Sequence, residues 1–203
     1  MIQYDLIREK ASAFRDALQT EYGTSRTASL HDLRVMIRNR YDLDYSELAM
    51  GTQEDSVKGL ILKSSRMVSI VTNSDLPEAG RILVLIHELG HFHLGHLGAA
   101  GISRLFDNRF GFRRESSRTA RMENEANFFA ADVLLDTEET MDIILTNDLM
   151  TSASLLRVPV EILDFKLRLL SRDGHLADYK DVLTVRSDCL KNMRIEKSAY
   201  DYY

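Results

Sequence analysis

Two histidines and a glutamate near the middle of the sequence are spaced in a way that suits metal chemistry. His87, Glu88 and His91 form the pattern HExxH. On a helix, residues four apart share a face, so both imidazoles can reach one ion while Glu88 lies beside the first. Neutral imidazole binds Zn²⁺ well, and three protein ligands leave a fourth position open for water. The motif therefore predicts a zinc site at which Glu88 takes a proton from water as the water attacks a carbonyl group.

The third ligand must come from another segment. A third histidine six residues after His91, as in metzincins, is excluded because that position is Leu97. The segment ENEAN instead offers Glu123 one helical turn before Asn127. We predict that Glu123 binds the ion and that Asn127 accepts a hydrogen bond from the free ring N–H of a ligating histidine. Glu125 points about 160° away from Asn127 on a helix. We therefore expect Glu125 at the surface, where its removal should leave metal binding almost unchanged.

Two further histidines follow the motif closely. If the helix continues, His93 lies about 160° and His96 about 140° around the axis from His91. Neither is therefore a predicted ligand of the ion. We expect both beside a substrate groove or at the surface.

Composition limits the classes of protein to which the chain can belong. Of its 203 residues, 44% are hydrophobic and 28% charged, which is typical of soluble globular proteins. The net charge of -5 gives no general attraction to nucleic acid or to an anionic membrane. The longest apolar run, Ile82–Ile86, is far shorter than the ~20 residues that cross a bilayer. The N-terminus lacks a signal-peptide pattern, and the single Cys189 predicts a reduced, cytoplasmic protein.

Periodicity and turn residues predict the elements that hold these side chains. Ser29 and Asp32 form a capping pair at the start of a helix. Two aliphatic, β-branched runs separated by three residues predict a β-hairpin. The predicted helices are 3–20, 29 onward, 75–97, 118–135 and 137 onward, and the predicted hairpin is formed by 57–63 and 67–72. From residue 152 to about 170 we predict a short helix, a turn at 158–159 and a longer helix that stops near 173–174. This order predicts a mostly helical α+β fold with a small sheet before the HExxH helix.

Two stretches lie outside this regular pattern. Residues 98–118 combine glycines, three phenylalanines and five arginines, which predicts a mobile loop. The last thirty residues are predicted to be helical to about Ile195. We divide the chain into a region 1–150 that holds the site and a C-terminal helical region 151–203 packed with it as one unit.

Two motifs together resemble a known family. HELGHFHLGH, followed about thirty residues later by ENEANFFAADVLL, resembles the ImmA/IrrE metallopeptidases of phages, mobile elements and bacteria. The similarity covers roughly residues 30–172, and it departs from the family where Asp136-Thr137 replaces the usual Met-Pro. It implies a zincin-like domain with His87, His91 and Glu123 as zinc ligands and Glu88 as catalytic base. It also implies a protein substrate, a helix-turn-helix repressor.

Two other classes of function stay open. Residues 152–170 have the rhythm of a helix-turn-helix, and the loop 98–118 interleaves Arg with Phe, as a DNA-binding regulator would. However, Glu161 and Asp164 lie near the N-terminal end of the second helix, where acids would repel phosphates, so nucleic acid is not an expected partner. The other alternative is a protein-interaction regulator with a structural zinc site. Glu88 argues against that class, because a structural site needs no base.

Overall fold

The computed structural model describes residues 4–23, 28–53, 57–98 and 118–173. In chain order these residues form α1 (Tyr4–Tyr22), α2 (Leu30–Tyr41), β1 (Leu43–Leu48), β2 (Gly59–Lys63), β3 (Val68–Asn73), α3 (Glu78–His93), α4 (Arg118–Leu134), α5 (Thr137–Ile144), α6 (Leu149–Leu156) and α7 (Val160–Arg172). The mostly helical α+β fold is confirmed. The interior of the predicted 98–118 loop and the predicted helix to Ile195 lie outside the described residues. Contacts divide the chain into two compact units, Met1–Leu134 and Leu135–Tyr203.

The sheet of the first unit has the strand order β1-β3-β2. β2 and β3 are antiparallel, with Ile61 opposite Ile70, which confirms the predicted hairpin. Both isoleucines are fully buried, so this pair anchors the inner face of the sheet. β1 lies parallel to β3, beginning with Leu43 opposite Val68. The sequence pattern does not predict β1, because its sequence LDYSEL is polar and mostly exposed, as edge strands often are.

α3 is the most deeply buried helix of the first unit. It packs against α4 on one side and against β2 and β3 on another. Every residue from Ile82 to His91 is buried, because a helix between two layers has little surface left for solvent. The apolar run that precedes HExxH thus supplies the packing that carries the motif into the interior. α1 covers α4, with Phe14 packed edge-on against Phe129.

Local capping explains where the helices begin and end. The predicted capping pair of α2 is present, since Ser29 Oγ accepts from the Asp32 amide and the Asp32 carboxylate accepts from the Ser29 amide. α3 follows Pro77, which has no N–H to leave unsatisfied at a helix start. α1 ends before Gly23, which adopts the left-handed conformation with φ +64° that commonly closes a helix.

The helix that carries HExxH ends earlier than predicted, at His93 instead of about Leu97. Gly95 adopts the left-handed conformation with φ +71°. Its amide donates to the carbonyl of Phe92, and the amide of His96 donates to the carbonyl of His91. These two bonds are the Schellman pattern that closes a helix C-terminus. His96 therefore folds back over the last turn of α3 instead of continuing around the axis.

The second unit contains α5, α6 and α7 among its described residues. Asp136 and Asp148 cap α5 and α6 by accepting hydrogen bonds from amides of their first turns. α6 and α7 pack together and are joined through Val158-Pro159, which confirms the predicted short helix, turn and longer helix. α6 begins at Leu149, three residues before the predicted start at Ser152.

Candidate metal centre

Three side chains converge between α3 and α4. His87 Nε2 lies 3.1 Å from His91 Nε2 and 3.3 Å from Glu123 Oε2. His91 Nε2 lies 3.7 Å from Glu123 Oε1. One ligand atom from each residue lies within 4.8 Å of the others, and all three residues are buried. His87, His91 and Glu123 therefore form a group that could hold a metal ion.

The predicted neighbour of the site is also in place. Asn127, one turn after Glu123 on α4, presents Oδ1 at 2.9 Å from His87 Nδ1. A carbonyl oxygen can only accept, so His87 Nδ1 carries the proton and donates it to Asn127. His87 Nε2 is then left with its lone pair, and that lone pair points toward Glu123. This bond selects the tautomer that a metal ligand needs.

Burial keeps His91 in the same state. Its side chain is fully enclosed, and this desolvation lowers the pKa of His91 well below its usual value, with the nearby His87 and His96 acting in the same direction. At neutral pH the ring is therefore uncharged. Only the uncharged ring has a lone pair to give to a cation.

The candidate ligand atoms suit a cation because their lone pairs face one another in the protein interior. Glu123 Oε2 has no hydrogen-bond donor among the described residues, although it is buried. The atom that faces it, His87 Nε2, bears a lone pair and not a proton. Two lone pairs facing each other in the interior repel, and a buried carboxylate oxygen without a donor is costly. A divalent cation between them would remove both costs. The residues present thus fit a metal.

Close approach of the two helices makes this convergence geometrically possible. Gly90 of α3 lies against α4, where an added Cβ would come within 3.1 Å of Ala126 Cα and 3.2 Å of Phe129 Cδ1. Glycine and alanine at this crossing bring the backbones together, so that the histidines of α3 can meet Glu123 of α4. Glu88 is buried on α3 beside the first histidine, with 3% of its surface exposed.

Comparison with known families decides the identity of this domain. The model of Peptidase M78, the IrrE N-terminal-like domain, matches residues 48–168. That span is more than half of the chain and contains the whole site. The chain belongs to the IrrE N-terminal-like family. The family stated from the two sequence motifs is therefore confirmed, and with it a metallopeptidase-type domain.

Other comparisons add little to this assignment. No curated protein matches the chain. Among solved structures the IrrE-like chain is similar to a Mycobacterium tuberculosis transcriptional regulator, with 17% sequence identity and a TM-score of 0.48. The match covers 80% of this chain and 51% of that one, so the chain spans about half the length of that protein. None of the described helices is both long and apolar enough to span a membrane.

His93 lies within an aromatic cluster of the IrrE-like domain. Its ring stacks on Phe129 at 5.4 Å and meets Phe14 and Tyr41 edge-on. Lys10 donates a hydrogen bond to the His93 carbonyl. Burial, and secondarily the positive charge of Lys10, lowers the pKa of His93 to about 4. The described contacts of this ring are with the protein itself, and its predicted position beside a substrate groove stays a prediction.

His96 and Glu125 differ most from the positions expected on a continuous helix. His96 Nδ1 lies 2.8 Å from His91 Nδ1, and His96 Nε2 lies 3.0 Å from Glu125 Oε2. Glu125 is therefore not a free surface carboxylate, and its side chain is only 16% exposed. The expectation requires α3 to continue past His96, whereas the turn at Gly95 brings His96 back between α3 and α4. Burial lowers the pKa of His96, although the Glu125 carboxylate opposes that shift.

Proposed function

We propose that this chain is a zinc-dependent endopeptidase that cleaves a regulatory protein. His87, His91 and Glu123 hold the zinc, and Glu88 is the general base. One observation carries the proposal: two imidazole lone pairs and a carboxylate converge in a buried position, and a further acid stands beside them. A metal site that served structure alone would have no use for that acid.

The donor set favours zinc over harder cations. Two neutral imidazoles with one carboxylate form a three-ligand set typical of catalytic zinc, whereas Mg²⁺ and Ca²⁺ prefer oxygen ligands. Zinc bound there would supply a Lewis acid that acidifies water and polarises a carbonyl group. The protein supplies the orientation, because Asn127 holds the ring of His87 by its Nδ1–H.

Glu88 performs the proton transfers in this proposal. Its carboxylate accepts the proton of the attacking water and then delivers it to the amine that leaves as the peptide bond breaks. The backbone of α3 fixes Glu88 one residue after His87, so base and ligand move as one rigid element. The buried surroundings exclude bulk water and strengthen the electrostatic contribution of the carboxylate.

The family supports a protein substrate, and we propose a helix-turn-helix repressor of a phage or mobile element. This choice is supported by the resemblance to ImmA/IrrE metallopeptidases. Such a repressor is bound to DNA inside the cell, which agrees with the cytoplasmic location that the single cysteine predicts. Cleavage would release the genes that the repressor holds silent.

The direct test removes the base and keeps the metal. Glu88→Gln should retain zinc, because the ligands are unchanged, while cleavage falls by roughly 10²- to 10⁴-fold, since an amide cannot accept the proton. Glu78→Gln is the matched control, an exposed position on the same helix that should leave both zinc content and cleavage unchanged. Metal analysis and mass spectrometry of the products would be run on the same preparations. Cleavage by Glu88→Gln at the wild-type rate would remove Glu88 from the mechanism.

The substrate is tested with the repressor encoded nearest to this gene. Zinc-loaded protein should cut it at one or a few peptide bonds, and a chelator should stop the reaction. A zinc-loaded protein that binds the repressor without cutting it would instead favour the protein-interaction class.

A further inference from the structure

A chain of three side chains, His91, His96 and Glu125, leads away from the candidate metal centre. His91 Nδ1 contacts His96 Nδ1 at 2.8 Å, and His96 Nε2 contacts Glu125 Oε2 at 3.0 Å. The side chains of His96 and Glu125 are 7% and 16% exposed, so these contacts are largely shielded from water. The first link spans the end of α3, and the second joins that end to α4.

One arrangement of protons along this chain leaves His91 with a lone pair for a cation. The Glu125 carboxylate can only accept, so His96 Nε2 carries a proton and donates it. With one proton on its ring, His96 has its lone pair on Nδ1, which accepts the proton of His91 Nδ1. His91 Nε2 is left with a lone pair, and it is the atom that faces His87 and Glu123.

We propose that His96 and Glu125 form a positioning pair that fixes the tautomer and orientation of His91, as Asn127 does for His87. This inference rests on the metal site proposed above. Neither residue touches the metal or the substrate; both act through His91. The pair is charged at its far end, so it also makes His91 a more basic ligand, as carboxylate–histidine–metal chains do.

Geometry excludes the alternative that His96 is a fourth ligand of the same ion. Its contact is with His91 Nδ1, the ring nitrogen that points away from Glu123. Its other nitrogen is engaged by Glu125. The guanidinium of Arg121, one helical turn earlier on α4, lies 3.8 Å from the other carboxylate oxygen of Glu125.

Loss of the pair should weaken zinc binding by a measurable factor. Without an acceptor at residue 96, His91 is free to carry its proton on Nε2, the atom that must bind the metal. His96→Leu and Glu125→Leu should each lower zinc affinity by roughly 10- to 100-fold, the usual cost of removing a partner of a metal ligand. His96→Asn should restore most of the affinity, because the Asn amide oxygen can accept near the position of the lost Nδ1.

The experiment uses the full chain and titrates zinc against a chromophoric chelator. The proteins are the wild type, the two Leu variants, the double Leu variant and His96→Asn, with His31→Leu as an exposed control on α2. Because Glu125 acts through His96, the double variant should lose no more affinity than His96→Leu alone. A second measurement needs no metal: ¹⁵N NMR of the imidazoles should show His91 protonated on Nδ1 in the wild type and a mixture of tautomers in His96→Leu.

The possible outcomes separate this inference from the proposed function. A wild type with no zinc affinity overturns both. A wild type that binds zinc no more tightly than His96→Leu and Glu125→Leu overturns only the positioning pair, and so does a double variant whose losses add. If His96→Leu does not fold, Glu125→Leu decides the question, because it removes the terminal acceptor while His96 stays in place.

Discussion

The crossing of α3 and α4 and the pair α6–α7 bury very different side chains. The buried polar residues on α3 and α4 are His87, Glu88, His91, Glu123, Asn124 and Asn127. On α6 and α7 they are Ser152 and Lys166 only, in a core of apolar side chains such as Ile162 and Phe165. Burying polar groups costs stability unless each finds a partner. The buried polar groups of the first region include the three candidate metal ligands, whereas the second region is an ordinary apolar core.

The same contrast weighs on the helix-turn-helix interpretation of α6–α7. Two charged side chains of α7 pair with each other: Arg168 Nε donates a hydrogen bond to the carboxylate of Asp164, one turn earlier, at 3.1 Å. The arrangement of short helix, turn and longer helix follows from packing α6 on α7, which leaves Leu156, Ile162 and Phe165 buried. Because packing already explains this arrangement of helices, the arrangement is weak evidence for DNA binding.

The largest effect is expected from removing the carboxylate of the candidate metal centre. Glu123→Ala should lower zinc affinity on the order of 10⁴-fold, which is about 5.5 kcal/mol of the ~10–16 kcal/mol that complete zinc sites supply. Chelator competition measures the loss, with Glu78→Ala as control at an exposed position. Chelation should also lower the melting temperature of the wild type more than that of the variant, because the metal joins two helices. Unchanged zinc affinity would remove Glu123 from the site.

A core substitution in the second region should have the opposite pattern. Phe165 is almost fully buried on α7, and Phe165→Ala should lower the free energy of unfolding by about 3–5 kcal/mol through lost burial and the cavity that remains. Zinc affinity of the folded protein should not change, because Phe165 belongs to an apolar core. Urea unfolding and zinc titration test the two statements separately. A loss of zinc affinity as large as that of Glu123→Ala would show that the regions are not distinct.

An intermediate effect is expected where packing and chemistry meet. Gly90→Ala places a methyl group 3.1 Å from Ala126 Cα and 3.2 Å from the ring of Phe129. We expect a loss of about 1–3 kcal/mol in the free energy of unfolding, because backbone atoms must shift. Zinc affinity should fall as well, since α3 and α4 carry the ligands. Gly80→Ala is the control on α3, where an added Cβ meets its nearest atom at 3.5 Å and has room. Equal behaviour of the two variants would refute the close-crossing argument.

The smallest effect concerns pH and the aromatic cluster around His93. Its pKa is about 4 in the folded protein and near 6.5 in the unfolded chain. As the pH falls from about 6.5 to about 4, the unfolded chain binds a proton that the folded protein does not, so stability is lost with falling pH. The slope for this group is at most ~1.4 kcal/mol per pH unit.

This slope can be isolated by substitution. In metal-free protein, His93→Phe should reduce the fall in unfolding free energy between pH 7 and pH 5, while His31→Phe at an exposed position should not. Urea unfolding at several pH values gives both slopes. A variant as sensitive to acid as the wild type would contradict the assigned pKa.

Much of the fold, and the pairing of candidate site residues within each helix, could be predicted because short-range rules determine them. Spacing on one helix brings His87 and His91 together, and the i, i+4 relation of Glu123 and Asn127 predicts the hydrogen bond to His87 that the structure contains. The hairpin and the capping pair of Ser29 are likewise local.

The parts of the structure that could not be predicted depend on contacts that the periodicity of the sequence does not reveal. β1 is stabilised by pairing with β3 along one edge, and its own sequence carries no strong strand signal. The contact of His96 with His91 and Glu125 requires knowing that α3 stops at His93. Gly95 is the available signal, because a glycine after the last periodic residue is a common helix end.

The turn at Gly95 has a consequence for how the site tolerates changes in chain length. The distance from His91 to His96 is set by two backbone hydrogen bonds of the helix end, not by the pitch of a helix. One residue added or removed between them would move the imidazole of His96 off its partner while leaving HExxH intact. The five residues that follow His91, with Gly95 in fourth place and His96 in fifth, therefore act as a connector of fixed length. That spacing can be recognised in a sequence as readily as HExxH itself.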